Sequence, residues 1–344
     1  MSEIKRWYEK QGPQGDVVIS TRIRLARNLP KIPFPARMSQ EQRQTVEKAV
    51  KEAVEHGSAA IAQSLHYRAM EDVTQTEAIS MVERHLVSPD FVTQNKGRAI
   101  LMASDESISI MINEEDHVRM QVMMEGMNLE KAYQIASVLD DSLNSSLHFA
   151  FHKTLGYLTQ CPTNLGTGMR ASLMLHLPAL QESGTMNRIA GNLSKLGLTL
   201  RGTYGEGSNA VGALYQLSNQ VSLGLSEAEA IGNLSTIAMQ LVEEERKARQ
   251  QLAQDVAKQD MIFRSVAILK SARVLTSEEM MQLLSNVRLG IAAGLIPDIS
   301  YDTVNALMIQ TQPATMSLCH GGNLSVQERD VLRAKMVIEA LASK

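Results

Sequence analysis

Cys161-Pro-Thr-Asn-Leu-Gly-Thr-Gly-Met-Arg170, running into Ala171-Ser-Leu-Met-Leu-His-Leu177, decides how this chain is read. The first ten residues place a thiol, a glycine-rich turn and an arginine just ahead of an alternating strand. A thiol adds little to the packing of a turn, but beside a cation it can act as an anion. Glycine lets the backbone approach a phosphate closely, and an arginine at the end of the loop can grip one in a fork. Alone, this loop suggests phosphate binding. Three other segments carry matching parts.

Outward from the loop, the first three-fifths of the chain mixes strands with helices. Asp16–Thr21 reads as a short strand, and Ser39 with Gln42 forms a capping box that opens a helix to about Gly57. Ala99–Ser104 and Ile108–Asn113 form a hairpin around Asp105-Glu-Ser107, Leu129–Leu147 is helical, and Met169–Leu177, Leu198–Gly202 and Ala213–Asn219 are further strands. This pattern predicts an α+β fold, a mainly antiparallel sheet flanked by helices. Beyond Ser226, whose capping box uses Glu229, the stripe Ile231, Leu234, Ile237, Ala238, Leu241 and Val242 is helical and extends towards Lys258. Thr276 with Glu279 and Ser325 with Glu328 open further helices, while Gln310–Asn323 reads as a polar connector. The expected domains are 15–250 and a small all-helical C-terminal domain, 251–344.

At 344 residues the chain can bury two cores, and its net charge of −3 provides no global field for nucleic acid or membrane. Twenty methionines and few aromatics suggest an adaptable aliphatic core rather than base-stacking platforms. Only Cys161 and Cys319 are present, which suits reduced thiols in a cytoplasmic protein better than a disulfide framework. Neither a signal-peptide pattern nor a membrane-length apolar run is visible.

Five arginines sit in or beside loops at strand ends: Arg22, Arg24, Arg119, Arg170 and Arg201. Arg22 and Arg24 are two apart on a strand, so both leave the same face. Converging arginines suit a nucleoside triphosphate and the charge that develops in phosphoryl transfer. A solvated arginine-rich surface is the bland alternative. The acids Glu114, Glu115, Asp116 and Glu206 could be solvated turns or hold Mg²⁺ through water, but together with a thiol they suit a planar guanidinium. Phosphorylating such a group requires loss of a proton whose free pKa is above ~12, so a base must act as the N–P bond forms. Cys161 as a thiolate would complete that anionic pocket, whereas as a buried thiol it would be inert. A Walker loop and a His-Arg-Asp catalytic loop are both lacking.

Together, the Cys161 loop, Ser20-Thr-Arg-Ile-Arg24, Asn113-Glu-Glu-Asp-His-Val-Arg119 and Arg201-Gly-Thr-Tyr-Gly-Glu206 resemble the ATP:guanido phosphotransferases, the phosphagen kinase family, in order and spacing. The resemblance covers about residues 15–250. It implies ATP, accompanied by Mg²⁺ held mainly by the nucleotide phosphates and water, with no metal site on the protein. Carried over, the nucleotide lies along Ser20, Thr21, Arg22, Ile23 and Arg24, then Arg170, Ala171, Ser172, Leu173 and Met174, with Arg119 on the phosphates and His85 by the adenosine. Arg201, Gly202, Thr203, Tyr204, Gly205 and Glu206 complete that surface. Glu115 and Glu206 hold the guanidinium, with Cys161 beside its reacting end.

Family members acting on free guanidino compounds carry a helical domain before the Ser-Thr-Arg-x-Arg strand; here that strand begins near residue 16 and a helical extension follows instead. The layout resembles the bacterial protein arginine kinases, and a site without that lid can admit a polypeptide. Arg329-Asp-Val-Leu-Arg-Ala334 matches their RDxxRA motif, which implies a regulatory phosphoarginine pocket formed by Arg329, Asp330 and Arg333. The resemblance further implies a homodimer and protein quality control, with a zinc-binding activator (McsA type), a heat-shock repressor (CtsR type) and a Clp ATPase-protease as partners. Two alternatives are a kinase of free arginine or another small guanidino compound, and a non-catalytic phosphoarginine-binding adaptor.

Overall fold

The computed structural model describes residues 4–203, 210–322 and 324–342. Its centre is β1 (Val18–Arg27), longer than the strand expected at Asp16–Thr21 because the alternation continues through Arg22, Ile23, Arg24 and Leu25. The helices α1 (Gln40–Glu55) and α2 (Ala60–Gln63) follow, then β2 (His66–Ala69) and α3 (Gln75–Glu83). Next come β3 (Ala99–Met102), β4 (Ile108–Ile112), β5 (Val118–Glu125) and α4 (Leu129–Leu147). A small hairpin, β6 (Phe151–His152) and β7 (Gly156–Tyr157), leads into the Cys161 loop and β8 (Met169–His176). The helices α5 (Pro178–Glu182) and α6 (Met186–Lys195) precede β9 (Leu198–Gly202) and β10 (Leu214–Asn219).

Among the described residues, eight strands form one antiparallel sheet in the order β2-β3-β4-β5-β1-β8-β10-β9. Directly opposed residues in such a ladder share a face, so the register separates the two sides of the sheet. On one side Ile23 opposes Val122 and Ala171, and Leu173 opposes Leu217. These residues are buried in a core that α1, α4 and α7 (Glu227–Leu252) close through Val46, Leu139, Leu143, Leu234 and Leu241. Each such side chain contributes roughly 1.5–3 kcal/mol by leaving water. On the opposite side Arg24 opposes both Arg170 and Gln121, Arg22 opposes Ser172, and Gln216 opposes Arg201. The apolar face fixes the register, and the polar face is thereby assembled from five adjacent strands.

The capping boxes at Ser39 and Ser226 are present, with Gln42 and Glu229 as their return partners. The helix from Glu227 stops at Leu252 rather than running to Lys258, because Asp255 accepts from the Ala257 N–H and caps a new helix, α8 (Val256–Ser271). The remaining helices are α9 (Ser277–Ala292), α10 (Tyr301–Gln310), α11 (Pro313–Cys319) and α12 (Val326–Ala342). The connector expected over Gln310–Asn323 thus contains a helix, started by Pro313 at the position where a missing N–H matters least. Ile262, Leu284, Val287, Val304 and Val337 form a second core on these helices. Leu214 belongs to it, and Ile19 and Met174 pack against it, so the helical part docks on one end of the sheet. Among the described residues, no helix is long and apolar enough to cross a membrane.

Candidate active site

The arginine-bearing face is short of acceptors. The Nε atoms of Arg24 and Arg170 are buried without a hydrogen-bond partner among the described residues. Burial and the neighbouring Arg22, Arg119 and Arg170 push the Arg24 pKa well below its ordinary value. Burial, Arg201 and Arg119 lower that of Arg170. Unpaired buried cations are costly to a fold, so this cluster is built for an anion that brings its own acceptors. A polyphosphate fits that requirement. Arg22 is held differently, donating to the Gln216 Oε1 at 2.6 Å. Arg201 is exposed at the end of the same row.

Beside Arg22, a small cavity of about 70 Å³ is lined by Ser20, His85, Ser172, Met174 and Thr203. His85 reaches it from the turn after α3, where its φ is 62°, a left-handed conformation that a non-glycine residue adopts only when its surroundings require it. The Gln121 Nε2 donates to its carbonyl oxygen at 2.5 Å. Burial, then Arg22, lowers the His85 pKa to about 4, so the ring is neutral at pH 7 and offers an uncharged edge. Thr21, Ile23, Ala171 and Leu173, expected along the nucleotide, do not line this cavity, since their side chains are buried on the far face of the sheet.

On the other side of the arginines, an open cleft of about 640 Å³ is bordered by Arg119, Glu114, Glu115, Arg43, Arg98 and Gln160, among others. Its three consecutive acids are not equivalent. Glu114 pairs with the Arg119 guanidinium at 2.5 Å and accepts from the Ser88 hydroxyl at 2.6 Å. Burial would raise its pKa, but the Arg119 guanidinium, the Ser88 hydroxyl and the Glu115 N–H together outweigh burial and hold it low. Asp116 accepts from the Gln160 N–H and the Asn28 amide, and so organises the backbone just before Cys161. Glu115 alone of the three lines the cleft with no ion pair or side-chain hydrogen bond recorded among the described residues. Burial, then Asp116, raises its pKa. A half-buried carboxylate without a partner is a place for an external cation with hydrogen-bond donors, and a guanidinium is such a group.

Cys161 is half-buried next to Gln160, its sulfur 3.0 Å from the Thr163 hydroxyl. It is near enough to Arg170 to act on that guanidinium electrostatically. The loop is held at both ends. Arg27 makes a bidentate bond to Asp140 on α4, donates to the Thr167 carbonyl and lies 3.4 Å from the centroid of the Tyr157 ring. Gly168 is needed there, because its φ is 61° and a Cβ would lie 2.6 Å from the Arg27 guanidinium. The structure therefore brings Glu115, Cys161, His85 and the arginines to one side of the sheet.

Comparison with known proteins places this geometry. The model of the ATP:guanido phosphotransferase C-terminal catalytic domain matches residues 45–248, and that of the protein-arginine kinase McsB C-terminal domain matches 255–344. A protein-arginine kinase of Halothermothrix orenii is 45% identical over 97% of this chain and 95% of its own length. One of Desulforamulus reducens is 46% identical over 98% and 96%. The chain belongs to the ATP:guanido phosphotransferases, among the protein-arginine kinases. Solved structures of this family are similar in fold. A lombricine kinase has a TM-score of 0.60 at 27% identity, covering 68% of this chain and 67% of its own. A duplicated taurocyamine kinase from Schistosoma mansoni has 0.63 at 26%, covering 78% and 39%.

Tyr204, Gly205 and Glu206, expected at the nucleotide and guanidinium, lie outside the described residues. Arg329, Asp330 and Arg333 lie on α12, and Arg333 is not open to a ligand in the described conformation. Its guanidinium is 1% exposed and donates to the Thr311 and Leu275 carbonyls and, at 2.5 Å, to Asp330. Arg329 is half-exposed. The motif therefore also does structural work, which an i, i+4 spacing does not reveal. Sequence reading missed Arg43 and Arg98 at the acceptor cleft. The Arg43 Nη1 is buried without a partner among the described residues, while Arg98 is occupied by backbone carbonyls. Neither lies in a motif, since α1 and the strand-end loop before β3 meet only in the fold.

Proposed function

We propose that this protein phosphorylates arginine side chains of proteins, with the triphosphate of ATP on the Arg22, Arg24, Arg119, Arg170 and Arg201 face and the acceptor guanidinium against Glu115. The observation that carries the reading is that acceptor-poor arginines and an unpartnered glutamate lie on the same side of the sheet. The nucleoside occupies the cavity at Ser20, His85, Ser172 and Met174. Mg²⁺, held by the nucleotide phosphates and water, would supply charge neutralisation for the transfer. Glu115 and Glu206 orient one guanidinium nitrogen in line with that group, and Cys161 as a thiolate helps take the proton as the N–P bond forms. The cationic face then stabilises the negative charge of the transferring group without having to reorganise.

An open acceptor cleft supports a polypeptide over a free amino acid, since nothing described there encloses a small molecule. Marking proteins for a Clp-type protease, silencing a heat-shock repressor, activation by a zinc-binding protein, dimerisation through the C-terminal helices and a cytoplasmic setting belong to this reading through the family resemblance. The test is incubation with ATP, Mg²⁺ and casein beside an equal concentration of free arginine, followed by mass spectrometry that preserves acid-labile P–N bonds. Phosphate on casein arginines well above that on free arginine is expected. Preferential phosphorylation of the free amino acid would select the small-substrate alternative.

A further inference from the structure

One carboxylate next to the nucleoside cavity reaches across to the C-terminal helices. Glu83 is the last residue of α3, two before His85, and its side chain crosses to the start of α11. The Ala314 N–H donates to its Oε1 at 2.9 Å, and the Thr315 N–H and hydroxyl donate to its Oε2 at 2.7 and 2.8 Å. The Ser80 and Thr315 hydroxyls lie 3.1 Å apart alongside. Glu83 thus satisfies donors at a helix terminus that would otherwise lack partners, and it does so from another domain. On its other side, α11 follows Thr311, whose carbonyl is held by the buried Arg333 of α12.

We propose that Glu83 is a positioning residue for nucleotide binding: by fastening the end of α3 to α11, it fixes the turn that presents His85 to the nucleoside. This rests on the assignment of the His85 cavity to the nucleoside. Two features show that the turn needs holding. His85 is in the left-handed region, and Leu86 and Val87 immediately after it are buried against Met81 and Phe91, so the end of α3 and the turn move together. The C-terminal helices thereby bear on the nucleotide site without touching the phosphates, a connection made of directly bonded groups.

Trp7 is the only tryptophan in the chain, and its ring centroid is 6.3 Å from that of His85, so its emission follows ADP binding at this cavity. ADP with Mg²⁺ is titrated into the full-length protein and its Glu83→Ala, Glu83→Gln, His85→Ala and doubly substituted forms, and KM is measured for the protein acceptor. Glu83→Ala should weaken ADP about fivefold and Glu83→Gln less, because one carboxamide oxygen retains part of the set, with acceptor KM unchanged. Adding Glu83→Ala to His85→Ala should have little further effect, as expected of residues acting as one unit. Thr315→Val, which removes one bond of the three, should give a smaller shift of the same kind and serves if Glu83→Ala fails to fold. Unchanged ADP affinity in Glu83→Ala and Thr315→Val, with His85→Ala weakened, would overturn the inference alone. Unchanged affinity in His85→Ala would overturn the nucleoside assignment and the inference with it. Equal losses in ADP affinity and acceptor KM would reduce Glu83 to a general structural role.

Discussion

Arg24 and Arg170 are direct cross-strand partners on β1 and β8, and each buries an Nε that no described protein atom accepts. Like charges held opposite one another oppose folding, and the strands tolerate the pair because the apolar face beneath fixes their register. Removing one charge should stabilise the protein while damaging its function. Arg24→Met is expected to raise the nucleotide-free Tm by about 1–2 °C, equivalent to about 1 kcal/mol in a chain of this size. The same variant should lose most of the thermal shift that ATP gives the unsubstituted protein. Calorimetric scans with and without ATP check both. A lowered nucleotide-free Tm would mean that Arg24 has a structural partner.

Glu115 should set the acid side of the acceptor pH profile. Its pKa in the free enzyme is raised by burial and Asp116, so on lowering the pH it protonates earlier than an ordinary glutamate. The charged form binds guanidinium, so kcat/KM for the protein acceptor should fall on that acid limb, above the usual glutamate range. The nucleotide dissociation constant should stay flat across it. An acid limb that survives in Glu115→Gln belongs to another group.

Cys161→Ser should lower kcat by ~10²-fold, the scale of losing a positioned base, because a serine hydroxyl is not an anion near pH 7. Thr163→Val, which removes the hydroxyl 3.0 Å from the sulfur, should have a much smaller effect. Stopped-time phosphorylation assays compare the two. Full activity in Cys161→Ser would leave the thiol a spectator.

Substitutions in the α12 motif should separate by burial. Arg333→Ala leaves the Thr311 and Leu275 carbonyls without their donor and should destabilise the fold by ~1–3 kcal/mol. Arg329→Ala, at a half-exposed position, should change stability by less than about 0.5 kcal/mol. Denaturant titration measures both. Arg329→Ala is therefore the cleaner probe of phosphoarginine binding: weakened binding in calorimetry with phosphoarginine supports a regulatory pocket, and unchanged binding removes Arg329 from it.

The polar face was legible because it depends on a period of two. Arg22 and Arg24 beside Ile23 and Leu25 state which side is wet, and the strand from Met169 repeats the pattern. Capping at Ser39 and Ser226 was legible for the same local reason. β5 was missed because it follows an acidic loop without a turn signal, and α11 was hidden in a stretch with the composition of a connector. The distinction among Glu114, Glu115 and Asp116 could not be read at all. It comes from Arg119, Ser88, Asn28 and Gln160, which reach these acids from four separate segments. Glu83 was equally silent, since its partners are 231 and 232 residues away in the chain.

The division of the site into an arginine face for nucleotide and a glutamate for the acceptor is tested most directly in Glu115→Gln. ADP affinity by calorimetry and turnover of arginine phosphorylation on casein are measured on the same preparation. The account predicts ADP binding within about twofold of the unsubstituted protein and turnover reduced by ~10²-fold or more, the pattern of a group that acts on the acceptor alone. Parallel loss of ADP affinity and turnover would place Glu115 with the nucleotide and contradict the account.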